Sequence, residues 1–154
     1  MGISTDAHIC FGIAFDEGFS FPWGYEGYDE LIDWWRVANG YQSPVELYDE
    51  DGEYINGVKP SPEQYRLYFD SRNAFDEVHP LPFELVNAQH IDVPQYILAL
   101  KSTVITVNRG YPKTFDPSTL IVVEDQIALL IDFCKTHDIE HQSAPAWYLS
   151  SYWG

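Results

Sequence analysis

Two short segments of this chain set an imidazole and a carboxylate two positions apart: Asp6-Ala7-His8 and His90-Ile91-Asp92. On a β-strand that spacing aims both side chains at one face, as a general-base pair or a pair of metal ligands requires. Arg109 is one of only 8 Lys and Arg residues and stands at the end of a β-branched run, before Gly110-Tyr111-Pro112. There it either fixes the turn through an ion pair or captures an anion. Asp6, His8, His90 and Arg109 are therefore the candidate polar pocket of a small enzyme or ligand-binding protein.

The other reactive residue types assemble into no reaction. His137 and His141 are four apart, but the second lies beyond the expected helix end. Ser150 and Ser151 lack a Gly-x-Ser-x-Gly elbow and read as polar positions on a strand. The chain has no His-Glu-x-x-His, no paired Cys-x-x-Cys, no P-loop and no dinucleotide-binding glycine pattern. Asp49-Glu50-Asp51-Gly52-Glu53 invites comparison with a calcium loop. Counting from Asp49, however, puts Tyr54 where the glycine belongs and Pro60 where the closing Glu belongs. The sequence thus assigns no catalytic residue, no metal and no cofactor.

Charge is the strongest signal. The chain has 24 Asp and Glu against 8 Lys and Arg, a net charge of -16 in 154 residues, and it is 16% aromatic. Disordered acidic tails are poor in aromatics, so this composition reads as a folded domain with acid on its surface. Such a surface repels nucleic acid and anionic lipid and attracts basic protein faces. The acid is concentrated. Residues 16 to 53 hold Asp16, Glu17, Glu26, Asp29, Glu30, Asp33, Glu46, Asp49, Glu50, Asp51 and Glu53 against Arg36 alone, a net charge of -10.

The length is that of one domain, 1–154, with a real core. Cys10 and Cys134 read as buried thiols, not as a disulfide framework. No basic-then-apolar leader opens the sequence, and no apolar run reaches membrane-span length, so the expectation is a soluble intracellular protein.

These residues need elements to hold them. His8 to Phe15 alternates, with Ile9, Phe11, Ile13 and Phe15 on one face and His8, Cys10, Gly12 and Ala14 on the other. It reads as a strand whose small face admits a loop or helix backbone near Gly12. Gly18 to Gly27 is an aromatic loop that either folds back over the core or forms an adhesive patch. Tyr28 to Ala38 reads as a helix with Tyr28, Leu31, Ile32, Trp35 and Ala38 inward and Asp29, Asp33 and Arg36 outward. Asp51-Gly52 reads as a two-residue hairpin turn within Val45 to Val58, pairing Glu50 with Glu53, Asp49 with Tyr54 and Tyr48 with Ile55.

Ser61-Pro62-Glu63-Gln64 is a capping box that starts a helix running to Val78, with Leu67, Tyr68, Ala74, Phe75 and Val78 as its apolar arc. Phe83 to His90 and Gln95 to Val107 read as strands, the second central. Asp116-Pro117-Ser118 reads as the start of a helix that runs to Thr136. Ala146 to Trp153 reads as a strand inserted in the sheet. The order predicts an α+β domain: a mixed or antiparallel sheet of four to six strands, with three helices mainly on one face.

Three segments together carry a resemblance. They are Gly2-Ile3-Ser4-Thr5-Asp6-Ala7 leading into Phe11-Gly12-Ile13, Ser102 to Pro112 with Arg109-Gly110-Tyr111-Pro112, and Trp147-Tyr148-Leu149-Ser150-Ser151-Tyr152-Trp153-Gly154. In this order they resemble an uncharacterised family of small acidic proteins encoded by tailed bacteriophages. The resemblance spans both ends and leaves out the acidic middle. It implies a viral protein working in a host bacterial cytoplasm and brings no catalytic residues with it.

The leading expectation is a non-catalytic protein that binds and modulates a basic host protein, without binding nucleic acid or membrane itself. Asp29, Asp33, Asp49, Glu50, Asp51 and Glu53 would supply charge complementarity, and Trp23, Trp34 and Tyr48, if exposed, would be aromatic anchors. An anti-defence protein or a DNA mimic is the sharp form of this idea. The alternative is the pocket of Asp6, His8, His90 and Arg109. The sequence leaves the oligomeric state open.

Overall fold

Alternation of large and small side chains makes Thr5–Ala14 (β1) a strand that can be buried on both faces, and the sheet is built around it. The structure, a computed structural model, describes residues 5–24, 28–49, 51–89 and 95–153. Expectations placed on Tyr25, Glu26, Glu50, His90 and Asp92 lie outside the described residues. Two compact units make up the chain: Met1–Leu31 with Pro82–Gly154, and Ile32–Leu81. Among the described residues there are three α-helices and one five-stranded antiparallel sheet, an α+β arrangement. No helix among them is long and apolar enough to cross a membrane.

The first unit holds the sheet. Its other strands are Phe83–Asn87 (β2), Tyr96–Leu100 (β3), Ile105–Asn108 (β4) and Ala146–Trp153 (β5). One side of β1 is shared end to end, with Asp6 to Ile9 paired to β4 and Gly12 to Ala14 paired to β3. The other side is taken by β5, from Thr5 opposite Trp153 to Gly12 opposite Ala146. β2 lies outside β3. So β1 is the central strand, and the run Gln95 to Val107 is two strands instead of one. Lys101–Thr103 forms a single 3₁₀ turn between them. The buried Thr103 hydroxyl fills the resulting gap in the ladder. It accepts from the Phe11 N–H at 2.9 Å and donates to the Leu100 carbonyl at 2.7 Å. β5 joins the sheet as expected and, among the described residues, lies at its edge.

Gly12 does mark a close approach, but to the neighbouring strand and not to a loop or helix. A Cβ there would stand 2.4 Å from the Leu98 carbonyl oxygen. On one face of β1, Ile13, Leu98, Leu100 and Phe83 are buried, and the Phe83 ring meets Phe133 of helix Glu124–Thr136 at 4.4 Å. The aromatic loop folds over the core. Phe21 stacks on Trp23 at 4.7 Å, and both are buried. On the other face Cys10, Val86, Ile97 and Ala99 form a second cluster with Tyr148 against it. Both cysteines are buried free thiols. Helix Glu124–Thr136 starts later than its Asp-Pro cue. Asp116 caps only the 3₁₀ turn Pro117–Thr119, accepting from the Ser118 N–H, and the helix itself begins with the Gln126 side chain accepting from the Val123 N–H.

Helix Tyr28–Ala38 (α1) begins in the first unit and continues into the second, which also holds helix Pro62–Val78 (α2). We number Glu124–Thr136 α3. The Ser61 capping box is present, with Ser61 Oγ accepting from the Gln64 N–H and Gln64 Oε1 accepting from the Ser61 N–H. Of the apolar arc expected of α2, only Tyr68 and Phe75 pack. Leu67, Ala74 and Val78 are exposed, while Tyr65, Tyr68, Arg72, Phe75 and Asp76 are half-buried. Arg36 is likewise not outward. It is 8% exposed and held from both sides by carboxylates.

Candidate functional site

The acidic turn of the second unit is built by Asp49. Its Oδ1 accepts from the backbone N–H of Asp51 at 3.1 Å and of Glu53 at 3.0 Å, which is how a short carboxylate closes a loop on itself. The backbone adds Asp49 N–H to the Glu53 carbonyl at 2.9 Å and Gly52 N–H to the Asp49 carbonyl at 3.1 Å. Gly52 has φ 79°, where a side chain would be strained. The pairing that results is Tyr48 with Tyr54, where a two-residue turn would pair Tyr48 with Ile55. This corrects the expected register, in which Asp49 faced Tyr54. Glu50 lies outside the described residues. Glu46, Asp49, Asp51 and Glu53 are all exposed.

Tyrosines floor this turn. The Tyr48 and Tyr54 rings stack at 5.5 Å, and Tyr68 meets Tyr48 edge-on at 6.5 Å. Tyr65 donates its hydroxyl to Tyr54 at 2.9 Å, and that bond holds the Tyr65 phenol above its ordinary range. Tyr48 is 41% exposed and directly precedes Asp49.

Asp33 is exposed and also engaged within the chain. It pairs with Arg36 at 2.6 Å and with Arg72, while Asp76 takes Arg36 in a two-pronged grip at 2.9 and 2.5 Å. Burial would lower the Arg36 pKa, but the Asp76 and Asp33 hydrogen bonds prevail and raise it. Arg72 also lies 4.8 Å over the Tyr68 ring. Trp34 is half-buried, and Asp29 is exposed on the part of α1 that belongs to the first unit. Thus Tyr48, Asp49, Asp51 and Glu53 share one turn, whereas Asp33 sits in a partly exposed ion-pair network with Arg36 and Arg72.

The first unit carries a polar concavity of about 330 Å³, lined among others by Asp6, His8, Tyr28, Glu84, Asn87 and Tyr152. The sheet makes it. Asp6 and His8 are two apart on β1, Tyr152 is the β5 partner of Asp6, and Glu84 projects from β2. His8 Nδ1 stands 3.0 Å from Thr106 Oγ1. Burial lowers the His8 pKa, and the carboxylates of Asp6 and Glu84 raise it, with burial the larger. A neutral, half-buried imidazole between two carboxylates can accept a proton or a hydrogen bond from a bound group.

Arg109 lies in a neighbouring depression of about 470 Å³, which Asp6 also lines, and its N–H donates to the Thr5 carbonyl at 3.0 Å. His90 lies outside the described residues. Of the expected four, then, Asp6 and His8 meet in one concavity, and Arg109 adjoins it through Asp6. Glu84 was missed; its signal was a lone charge between Phe83 and Leu85 in an otherwise apolar strand.

A third depression, about 600 Å³, is lined in part by Phe19, Cys134, Asp138 and His141. Burial pushes the Cys134 thiol up to about 11. Among the described residues no group of three or more His, Cys, Asp or Glu side chains is placed to hold a metal ion. No protein-family model, curated protein or solved structure matches this chain.

Proposed function

We propose that this protein is a non-catalytic acidic binding protein whose partner is a basic protein surface. The observation that carries the reading is the turn at Asp49 to Glu53. It presents Glu46, Asp49, Asp51 and Glu53 to solvent beside an exposed Tyr48 ring. Carboxylates accept paired hydrogen bonds from guanidinium groups, and a tyrosine face attracts the same cation. The chain uses both devices internally, where Arg72 pairs with Asp33 and lies over Tyr68. The net charge of -16 steers a basic partner from a distance.

On the resemblance to acidic bacteriophage proteins, the partner is a host bacterial protein in the cytoplasm. A nucleic-acid-binding face of a defence or transcription protein is the natural target, covered by an acidic surface in place of the nucleic acid.

The test is capture from bacterial lysate on the immobilised protein, then association kinetics of the retained partner at low and high salt. Exposed charges are largely screened beyond about 8 Å at physiological ionic strength. The association rate should therefore fall steeply with salt, while the dissociation rate changes little. Replacing Glu46 and Glu53 by Gln and Asp51 by Asn should lower the low-salt association rate several-fold. An unchanged rate, or capture without enrichment of basic proteins, would overturn the reading.

A second reading is favoured by the concavity of Asp6, His8, Glu84 and Tyr152: a small enzyme or small-ligand binder. Backbone amide shifts confined to these residues during a small-molecule screen would support it against the first.

A further inference from the structure

Among the described residues, β5 is paired on one side only, with β1. On β1 the main-chain groups of the odd-numbered residues serve β4 and β3. Thr5 C=O accepts from the Arg109 N–H at 3.0 Å, Phe11 N–H donates to Thr103 Oγ1 at 2.9 Å, and Phe15 N–H donates to the Tyr96 carbonyl at 3.0 Å. Main-chain groups alternate sides along a strand, so Asp6, His8, Cys10 and Gly12 turn theirs to β5. Their register partners Tyr152, Ser150, Tyr148 and Ala146 answer them. The N–H and C=O groups of Trp147, Leu149, Ser151 and Trp153 therefore point away from β1. Among the described residues no strand pairs with that edge.

Edges of this kind are normally guarded by Lys, Pro or a bulge. Ala146–Trp153 contains no charged residue and no Pro, and it holds an unbroken eight-residue register with β1. Leu149 is 80% exposed, and Ser151 is also exposed.

The sequence says what fits there. Trp147-Tyr148-Leu149-Ser150-Ser151-Tyr152-Trp153 reads almost the same in either direction about Ser150. Antiparallel strands run in opposite directions, so a palindromic strand meets its own pattern across a two-fold axis. An axis through Ser150 sets Trp147 opposite Trp153, Tyr148 opposite Tyr152 and Leu149 opposite Ser151. The parity also agrees. The outward-pointing residues 147, 149, 151 and 153 fall opposite one another as hydrogen-bonded pairs. Ser150 meets Ser150 at a non-hydrogen-bonded position, where side chains come closest.

We propose that β5 pairs with β5 of a second copy across this axis, joining two five-stranded sheets into one of ten strands. The proposal is independent of the acidic-surface reading and carries the opposite salt signature. Two copies of charge -16 repel, so self-association should strengthen as salt rises.

Sedimentation velocity over a wide concentration range, at low and high salt, tests it. The expected result is a species of twice the 17.7 kDa chain mass, favoured by salt. Leu149→Lys places a charge on the edge at an exposed position, and Ser151→Pro removes an outward N–H that β1 does not use. Each should weaken association by roughly an order of magnitude or more. Oxidised Ser150→Cys should cross-link the dimer, while Tyr152→Cys, far from the axis, should not. The cross-link reads the register even if an edge variant fails to fold. A monomer under all conditions overturns the proposal. So does a dimer insensitive to both folded edge variants, or one cross-linked equally by Tyr152→Cys.

Discussion

Replacing Gly12 by alanine tests how tightly β1 and β3 approach each other. The new Cβ would stand 2.4 Å from the Leu98 carbonyl oxygen, 2.8 Å from Ala99 Cα and 2.9 Å from Leu98 C, whereas ordinary contact begins near 3.4 Å. The strands must part by about 1 Å to accept it. All three clashing atoms are backbone, so no side chain can rotate away. The three pairs between β1 and β3 are Gly12 with Ala99, Ile13 with Leu98 and Ala14 with Ile97, so the whole pairing feels the shift.

Alanine would ordinarily gain about 0.4–1 kcal/mol over glycine by restricting the unfolded chain. Overpacking a well-filled core costs about 1–3 kcal/mol, and rigid backbone neighbours put this site at the top of that range. The net loss should be about 2 kcal/mol or more. For a chain of this size that is a fall of roughly 5–8 °C in Tm. Thermal unfolding followed by near-ultraviolet circular dichroism measures it. A Tm that rises, or that falls by no more than a degree, would refute the close approach.

Four further outcomes follow from the same geometry. Asp49→Ala should cost about 1 kcal/mol, comparable to losing a helix N-cap, because two N–H groups lose their acceptor; Asp51→Asn and Glu53→Gln should leave denaturant midpoints unchanged or slightly raised. Arg36→Ala should destabilise by about 2 kcal/mol in chemical denaturation, less than a fully buried pair because Asp33 and Asp76 are partly in water, and Arg36→Lys should recover only part of it for want of a two-pronged grip. Burial raises the Cys10 and Cys134 thiols from 9.0 to about 11, so the unfolded chain ionises first and stability should fall between pH 9 and 11, while native thiols should react with a disulfide reagent at pH 8 far more slowly than denatured ones. His8 should titrate below 6.5 by its imidazole proton shift, contributing stability that is lost as pH falls through that value, and Asp6→Asn should depress it further by removing a carboxylate that favours the charged ring.

Local signals were legible in the sequence where the physics is local. Ser61 and Gln64 satisfy each other's orphan N–H groups within four residues, so the start of α2 was readable to the residue. Alternation from His8 onward identified β1. Signals failed where a side chain overrode a backbone rule. Asp51-Gly52 favours a two-residue turn, but the Asp49 carboxylate closes a wider loop and shifts the register. The β-branched run after Gln95 hid a break, since nothing short-range shows that Thr103 bonds to Phe11, 92 positions away. The apolar arc of α2 misled because ring stacking and ion pairs, not aliphatic burial, decide which face turns inward. In the polar concavity, His8 and Asp6 were visible as neighbours. Glu84 and Thr106 join them only through the strand order, Thr106 from 98 positions away.

The strand order also sets a timetable for folding. β1 is central, yet its long neighbour β5 is formed by residues 146 to 153, and the Tyr148 hydroxyl meets the Ala14 N–H across 134 positions. The second unit closes over much shorter spans, 40 positions from Arg36 to Asp76 and 11 from Tyr54 to Tyr65. Closing a long loop costs entropy before any contact repays it, and non-local pairing is slow. During synthesis β1 emerges before β3, β4 and β5 and must wait for them with β-branched and aromatic side chains uncovered. Ile32–Leu81 can settle in the meantime. Pulse-labelled hydrogen exchange during refolding should protect the amides of α2 before those of β1 and β5.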